Sequence, residues 1–222
     1  MNIRRFLWLV VLCFCLVTSE AFANPSITLY DWAFNIDGVI TTSGDMPVSG
    51  SLTDGLGELS WSTSEAGSHT FIAFFDYEID EPLNTFFNEY GAAVGVPAPG
   101  MMWEIDEPGF LFGDIYTHVL AGALDNTNAL PWGNDDDVSF ALGWTFSLAE
   151  NQIANIILDL SELIPLVPFY LAQMDTQSPE TIYYSGALTI ETTPVPEPST
   201  IILFGLGLLS ALGVARARAR RR

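Results

Sequence analysis

The chain has no lysine, and its seven arginines all sit near the two ends: Arg4, Arg5, Arg216, Arg218, Arg220, Arg221 and Arg222. Of its 27 acidic residues, only Glu20 and Glu197 fall outside residues 24–195, which leaves 25 inside. That stretch cannot make one lysine or arginine salt bridge. It cannot neutralise phosphates, which excludes nucleic acid as a partner. It is equally unsuited to lying on anionic lipid. Self-repulsion keeps such a domain soluble and costs stability. Countercharge has to come from salt, divalent cations or a basic partner.

Cysteine and histidine are almost missing too. Cys13 and Cys15 are the only cysteines, and both lie in an N-terminal segment that reads as removable. Without that segment the chain has no disulfide, no thiolate metal site and no cysteine nucleophile. His69 and His118 are the only histidines. A zinc site or a triad would need both, or one beside a poised serine. Ser68 precedes His69, but neighbours on a strand point to opposite faces. Neither G-x-S-x-G nor H-E-x-x-H occurs. Both histidines read as structural or surface residues.

What is present begins with a signal peptide at residues 1–23. Arg4 and Arg5 form its charged start, residues 6–17 its apolar stretch, and Ala21-Phe22-Ala23 its A-x-A cleavage site. Twelve apolar residues are too few to span a bilayer. Signal peptidase is the implied partner, with Asn24 as the first mature residue. Lipidation is not expected, because both cysteines lie inside the apolar stretch.

The other end has three parts in a fixed order. Val195-Pro196-Glu197-Pro198-Ser199-Thr200 is stiff and helix-incompatible, since each proline fixes its φ and extends the residue before it. An uncharged run follows at 201–215, and then the arginine cluster. As a helix those fifteen residues reach about 22 Å, against a bilayer core of about 30 Å. Ser199, Thr200 and snorkelling Arg216 and Arg218 make up the difference. We expect a single transmembrane helix within 199–222. Arg216, Arg218, Arg220, Arg221 and Arg222 stop it on the cytoplasmic side.

This order resembles the PEP-CTERM sorting signal of Gram-negative bacteria, over residues 195–222. The resemblance implies handling by an exosortase, a membrane protease-transpeptidase, near Pro196, Glu197 and Pro198. Those three residues are then a substrate rather than a site of chemistry. It further implies export through the inner membrane, transient anchoring with the domain in the periplasm, and a final place at the surface or in the matrix of an exopolysaccharide-producing cell. Segments 103–109, 124–128, 136–144 and 182–186 also resemble recurring stretches of exported proteins of this kind, which supports a β-rich fold and no catalysis.

Between the ends, residues 24–191 form one domain, with a proline-rich linker at 192–198. Apolar residues recur mainly with period two. Val138, Phe140, Leu142, Trp144, Phe146 and Leu148 alternate with small residues. Phe71, Ala73, Phe75, Tyr77 and Ile79 face one way, Asp76 and Glu78 the other. Residues 181–191 repeat the pattern, and 27–34, 58–62, 110–119, 153–160 and 169–174 are further strands. A short helix is predicted at 84–90, after the acidic start Asp80-Glu81-Pro82, and a loop at 91–100. The expected fold class is all-β, a mainly antiparallel sandwich or jelly roll with one or two short helices.

Chemistry has two acidic candidates. One is Glu104, Asp106 and Glu107, with Asp114. The other is Asp125, Asn126 and Asn128 with Asp135, Asp136 and Asp137, a set of oxygens of the kind Ca²⁺ takes. This loop lacks EF-hand spacing. The alternative is a solvated acidic loop with no cofactor. Trp103 with Glu104, or Trp132 with Asp135, could in principle serve a glycan hydrolase, which needs two carboxyls about 5 to 10 Å apart. Among 25 acids some pair meets that by chance, so no enzyme activity is expected. The leading expectation is a non-enzymatic surface or matrix protein. The alternative is a Ca²⁺-dependent module binding exopolysaccharide, and the third reading a hydrolase.

Overall fold

In a computed structural model, two antiparallel sheets face each other across an aromatic core. The structure describes residues 27–194 apart from 83 and 110, together with residues 204, 207, 216, 219 and 220. The signal peptide with Ala21 and Ala23, the Pro196-Glu197-Pro198 motif, most of the expected span, and Arg218, Arg221 and Arg222 lie outside the described residues. Arg216 and Arg220 are exposed. Among the described residues no helix is long and apolar enough to cross a membrane.

The strands are β1 (Ile27–Ile36), β2 (Val39–Thr41), β3 (Ser49–Thr53), β4 (Leu56–Thr63), β5 (Gly67–Ile79), β6 (Glu89–Gly95), β7 (Met101–Asp106), β8 (Ser139–Leu148), β9 (Gln152–Ser161), β10 (Phe169–Asp175) and β11 (Thr181–Thr192). One sheet has the order β2-β1-β5-β8-β7, the other β3-β4-β9-β11-β10-β6. The expected all-β antiparallel class is the observed one. Period-two alternation drives it, because each strand turns one apolar row inward. Phe34, Phe71, Phe75, Tyr77, Phe140 and Trp144 come from the five-stranded sheet. Leu158, Leu171 and Tyr184 meet them from the six-stranded one. Packing is tight enough that a Cβ on Gly186 would stand 2.7 Å from the Trp144 ring.

Three local expectations are corrected. The helix predicted at 84–90 is a single 3-10 turn at Phe86–Asn88, capped by Thr85. Glu89 already belongs to β6, pairing opposite Asp175 of β10, and this ladder claims the backbone that a helix would use. The loop predicted from residue 91 is therefore strand as far as Gly95. The strand predicted at 110–119 is instead a helix, α1 (Ile115–Ala121), closed by Gly122 at φ 76°. Ile115 and Val119, four residues apart, point to one side and pack on Ala33, Ile72, Phe74 and Ala141. A second apolar patch on the outer face of the five-stranded sheet thus recruits the helix as a cover.

Candidate functional site

Period two on β5 sends Ile72, Phe74, Asp76 and Glu78 to the outer face of the five-stranded sheet. The apolar half of that row lies under α1. The acidic half lies at the floor of a cavity of about 290 Å³, walled by Asp137, Glu107, Phe86, Phe87 and Phe112 with Tyr30 at its edge. Asp76 and Glu78 are buried, at 1 % and 5 % exposure. Asp76 Oδ1, Glu78 Oε2 and Asp137 Oδ1 are buried and accept no hydrogen bond from the protein.

Burial and like charge act together on these carboxyls. Desolvation pushes Asp76 up to about 9, reinforced by Asp137, Glu78 and Asp31. Desolvation, with Asp137 and Glu81, raises Glu78 to about 7. Asp137 rises to about 6 by burial and by its neighbours Asp136 and Glu107. Nearby Glu89 is also buried and is pushed up to about 9. Its Oε1 accepts from Ile79 N at 2.9 Å and its Oε2 from the Gln173 amide.

A second cluster gathers where β7, α1 and the following loop meet. His118 Nδ1 lies 2.8 Å and 3.0 Å from the two oxygens of buried Glu104. Asp125 N donates to Glu104 Oε2 at 3.2 Å. Ligand atoms of Glu104, His118 and Asp125 lie within 4.8 Å of one another, as do those of Glu104, Asp106 and Asp114. Either set could hold a divalent cation, the carboxylate set suiting a hard one and the histidine set a transition metal.

The loop residues read as a Ca²⁺ set are divided between these places. Asp125 joins the Glu104 cluster, although its Oδ1 also accepts from Thr127 N and Oγ1. Asn126 Oδ1 accepts from Trp103 N, and Asn128 bridges Gly91 O and Leu130 N, so both amides bind loop to strand. Asp135 Oδ1 accepts from Gly133 N. Asp136 pairs by backbone with Glu89, and its Oδ1 accepts from Asp137 N. Asp137 alone turns to the cavity with Asp76 and Glu78. Of the first acidic set, Glu104, Asp106 and Asp114 come together, while Glu107 lines the cavity. Trp103 packs on Phe169, whereas exposed Trp132 stands edge-on to Tyr90 at 4.7 Å.

Sequence reading passed over Asp76 and Glu78 as site residues. The only available signal was two acids in phase on a strand otherwise apolar on both faces. Each histidine is tied to a carboxylate, His69 to Asp37 and His118 to Glu104, and His118 belongs to the Glu104 cluster, which the sequence did not group it with.

Residues 194–222 match the family described as the PEP-CTERM protein-sorting motif. No curated protein and no solved structure matches the chain. The matched segment covers the proline motif, the apolar run and the arginine cluster, in the order argued above from their physical chemistry. The chain ends in a PEP-CTERM sorting signal, which implies export through the membrane to the cell surface and processing by an exosortase.

Proposed function

We propose that the mature protein is a non-enzymatic component of the surface or extracellular matrix of a Gram-negative cell. It crosses the inner membrane behind a signal peptide, is held briefly with the domain in the periplasm, and is then displayed or shed. The single observation that carries this reading is the sorting motif at 194–222 following an acidic sandwich. The sandwich supports a binding or scaffolding role, since His69 has both ring nitrogens engaged, by Asp37 Oδ2 and the Glu65 carbonyl.

Replacing Pro196, Glu197 and Pro198 by alanine tests the address. The expected product stays in the inner membrane with its arginine tail intact. Normal cleavage and release of that variant would overturn the reading.

A second reading is a Ca²⁺-dependent module for exopolysaccharide. It is favoured by the convergence of Glu104, Asp106 and Asp114 and by exposed Trp132 braced on Tyr90. It requires Tm to rise with millimolar Ca²⁺ beyond an ionic-strength control, and the protein to be retained on polysaccharide columns. Release of reducing sugar from a glycan screen would favour a hydrolase over both.

A further inference from the structure

We propose that the cavity over the outer face of the five-stranded sheet binds an organic ammonium ion, its charged head held by Asp76, Glu78 and Asp137 and its apolar body by the aromatic mouth. This inference does not rest on the sorting signal. It starts from three carboxylate oxygens that are buried and lack a donor: Asp76 Oδ1, Glu78 Oε2 and Asp137 Oδ1. All three residues line one cavity. Leaving a buried acceptor unsatisfied costs on the order of 1–3 kcal/mol each. The domain has no lysine or arginine to supply the missing donors, and its two histidines are engaged elsewhere, by Asp37 and Glu104. An ammonium head carries one positive charge and three N–H donors to share among these carboxylates.

The surroundings select an organic cation over a metal ion. Ca²⁺ wants six to eight oxygens at about 2.3–2.6 Å. Among the described residues, the sets whose ligand atoms fall within 4.8 Å are those built on Glu104, not the cavity carboxylates. The cavity, about 290 Å³, has room for several non-hydrogen atoms. Its mouth presents Tyr30, Phe87, Leu111 and Phe112, all exposed. Ring faces attract organic cations and cover alkyl chains. They offer nothing comparable to a hydrated metal.

Every titratable group that bears on the floor has the same sign. Asp31 faces Asp76 from β1, Glu81 faces Glu78 from the turn after β5, Glu107 and Asp136 act on Asp137, and Glu89 of β6 is coupled by charge to Glu78 and Asp137. A bound cation reverses the upward pressure on Asp76 and Glu78. Binding therefore releases protons near neutral pH, and affinity rises from pH 6 to pH 9.

The test uses the full chain in a neutral detergent, titrated by calorimetry with 1,5-diaminopentane, pentane-1,5-diol and Ca²⁺ in parallel. Saturable binding of the diamine and none of the diol is expected. Asp76→Asn should weaken diamine binding at least tenfold while raising Tm, so that misfolding cannot explain the loss. Phe112→Ala, at an exposed position, should weaken it threefold or more with Tm unchanged. The proposal is overturned if the diol binds as tightly as the diamine. It is also overturned if neither substitution moves the diamine affinity, if the diamine fails to saturate, or if Ca²⁺ alone binds with the Asp76 dependence. Glucosamine binding as tightly as the diamine would place the amine on an amino sugar. Weaker binding would point to an open-chain amine, and both results uphold the ammonium site.

Discussion

His69 Nδ1 lies 2.8 Å from Asp37 Oδ2, while its Nε2 lies 2.8 Å from the carbonyl oxygen of Glu65. A carbonyl only accepts, so Nε2 carries a proton, and the carboxylate at Nδ1 favours a second. This geometry favours the imidazolium, and the ring is raised above its ordinary pKa first by the Asp37 hydrogen bond, against the opposing effect of burial. In a domain without lysine or arginine, histidine is the side chain left to make an ion pair. Among the described residues, His69 and His118 make all the pairs found.

Because folding raises the His69 pKa, its contribution is complete below the unfolded value of about 6.5 and is lost as pH climbs through the folded value. His69→Gln should cost about 1–3 kcal/mol at pH 6, a Tm drop of roughly 2–10 °C. The gap between variant and wild type should narrow by pH 9. Thermal melts at both pH values check this, and an unchanged gap would remove the charged pair as its source.

The acids act in the same direction over a wider range. Asp76 and Glu89 are pushed up to about 9, and Glu78 to about 7, mainly by burial. Between about pH 4, where an unfolded carboxyl ionises, and pH 9, the folded state holds protons that the unfolded state has lost. Stability therefore falls as pH rises through that window. Tm should drop by on the order of 10 °C from pH 5 to pH 9. Asp76→Asn should flatten the slope and raise Tm at pH 8. A Tm that rises with pH would contradict this account.

Gly186 pairs opposite Leu158 on β9, and an added Cβ would meet the Trp144 ring at 2.7 Å and the Ile157 carbonyl at 3.1 Å. Gly186→Ala should overpack the core by about 1–3 kcal/mol. Denaturant unfolding followed by tryptophan fluorescence would register this as a lower midpoint at an unchanged slope.

Exosortase processing near Pro196-Glu197-Pro198 should remove the arginine cluster. The intact mass of the protein from native cells should then lack Arg216, Arg218, Arg220, Arg221 and Arg222. Recovery of surface protein with the tail attached would refute cleavage there.

Much of the fold was legible from residues. The alternations in 71–79, 138–148 and 181–191 gave strands in register with the inner core, because a half-apolar strand has only one way to face it. Residues 84–90 and 110–119 misled for a physical reason. Seven residues satisfy a helical and an extended period almost equally well, and the partner decides. Glu89 is drawn into β6 by pairing with Asp175, and Ile115 and Val119 are drawn into α1 by the apolar patch around Phe74.

The candidate site was legible only in part. Local sequence grouped Asp125 with Asp137 because they are neighbours in the chain. The fold separates them, giving Asp125 to Glu104 and His118, and Asp137 to Asp76 and Glu78. Asp125 and Glu104 are 21 residues apart, and Asp137 lies farther still along the chain from Asp76 and Glu78, so neither grouping leaves a local pattern to read.

By itself, then, the sequence determined the address, the charge and the sheet-forming habit of this protein. Each of these is a property of local order or of composition: a tripartite tail, a domain with acids and no bases, an apolar period of two. Tertiary structure decided which acids lose water and which keep it. Asp76 and Glu78 occupy the face that alternation alone would leave in solvent, and the segment after β7 together with Phe86 and Phe87 covers them. Their burial depends on what packs above them, and that depends on how the whole chain returns across the sheet.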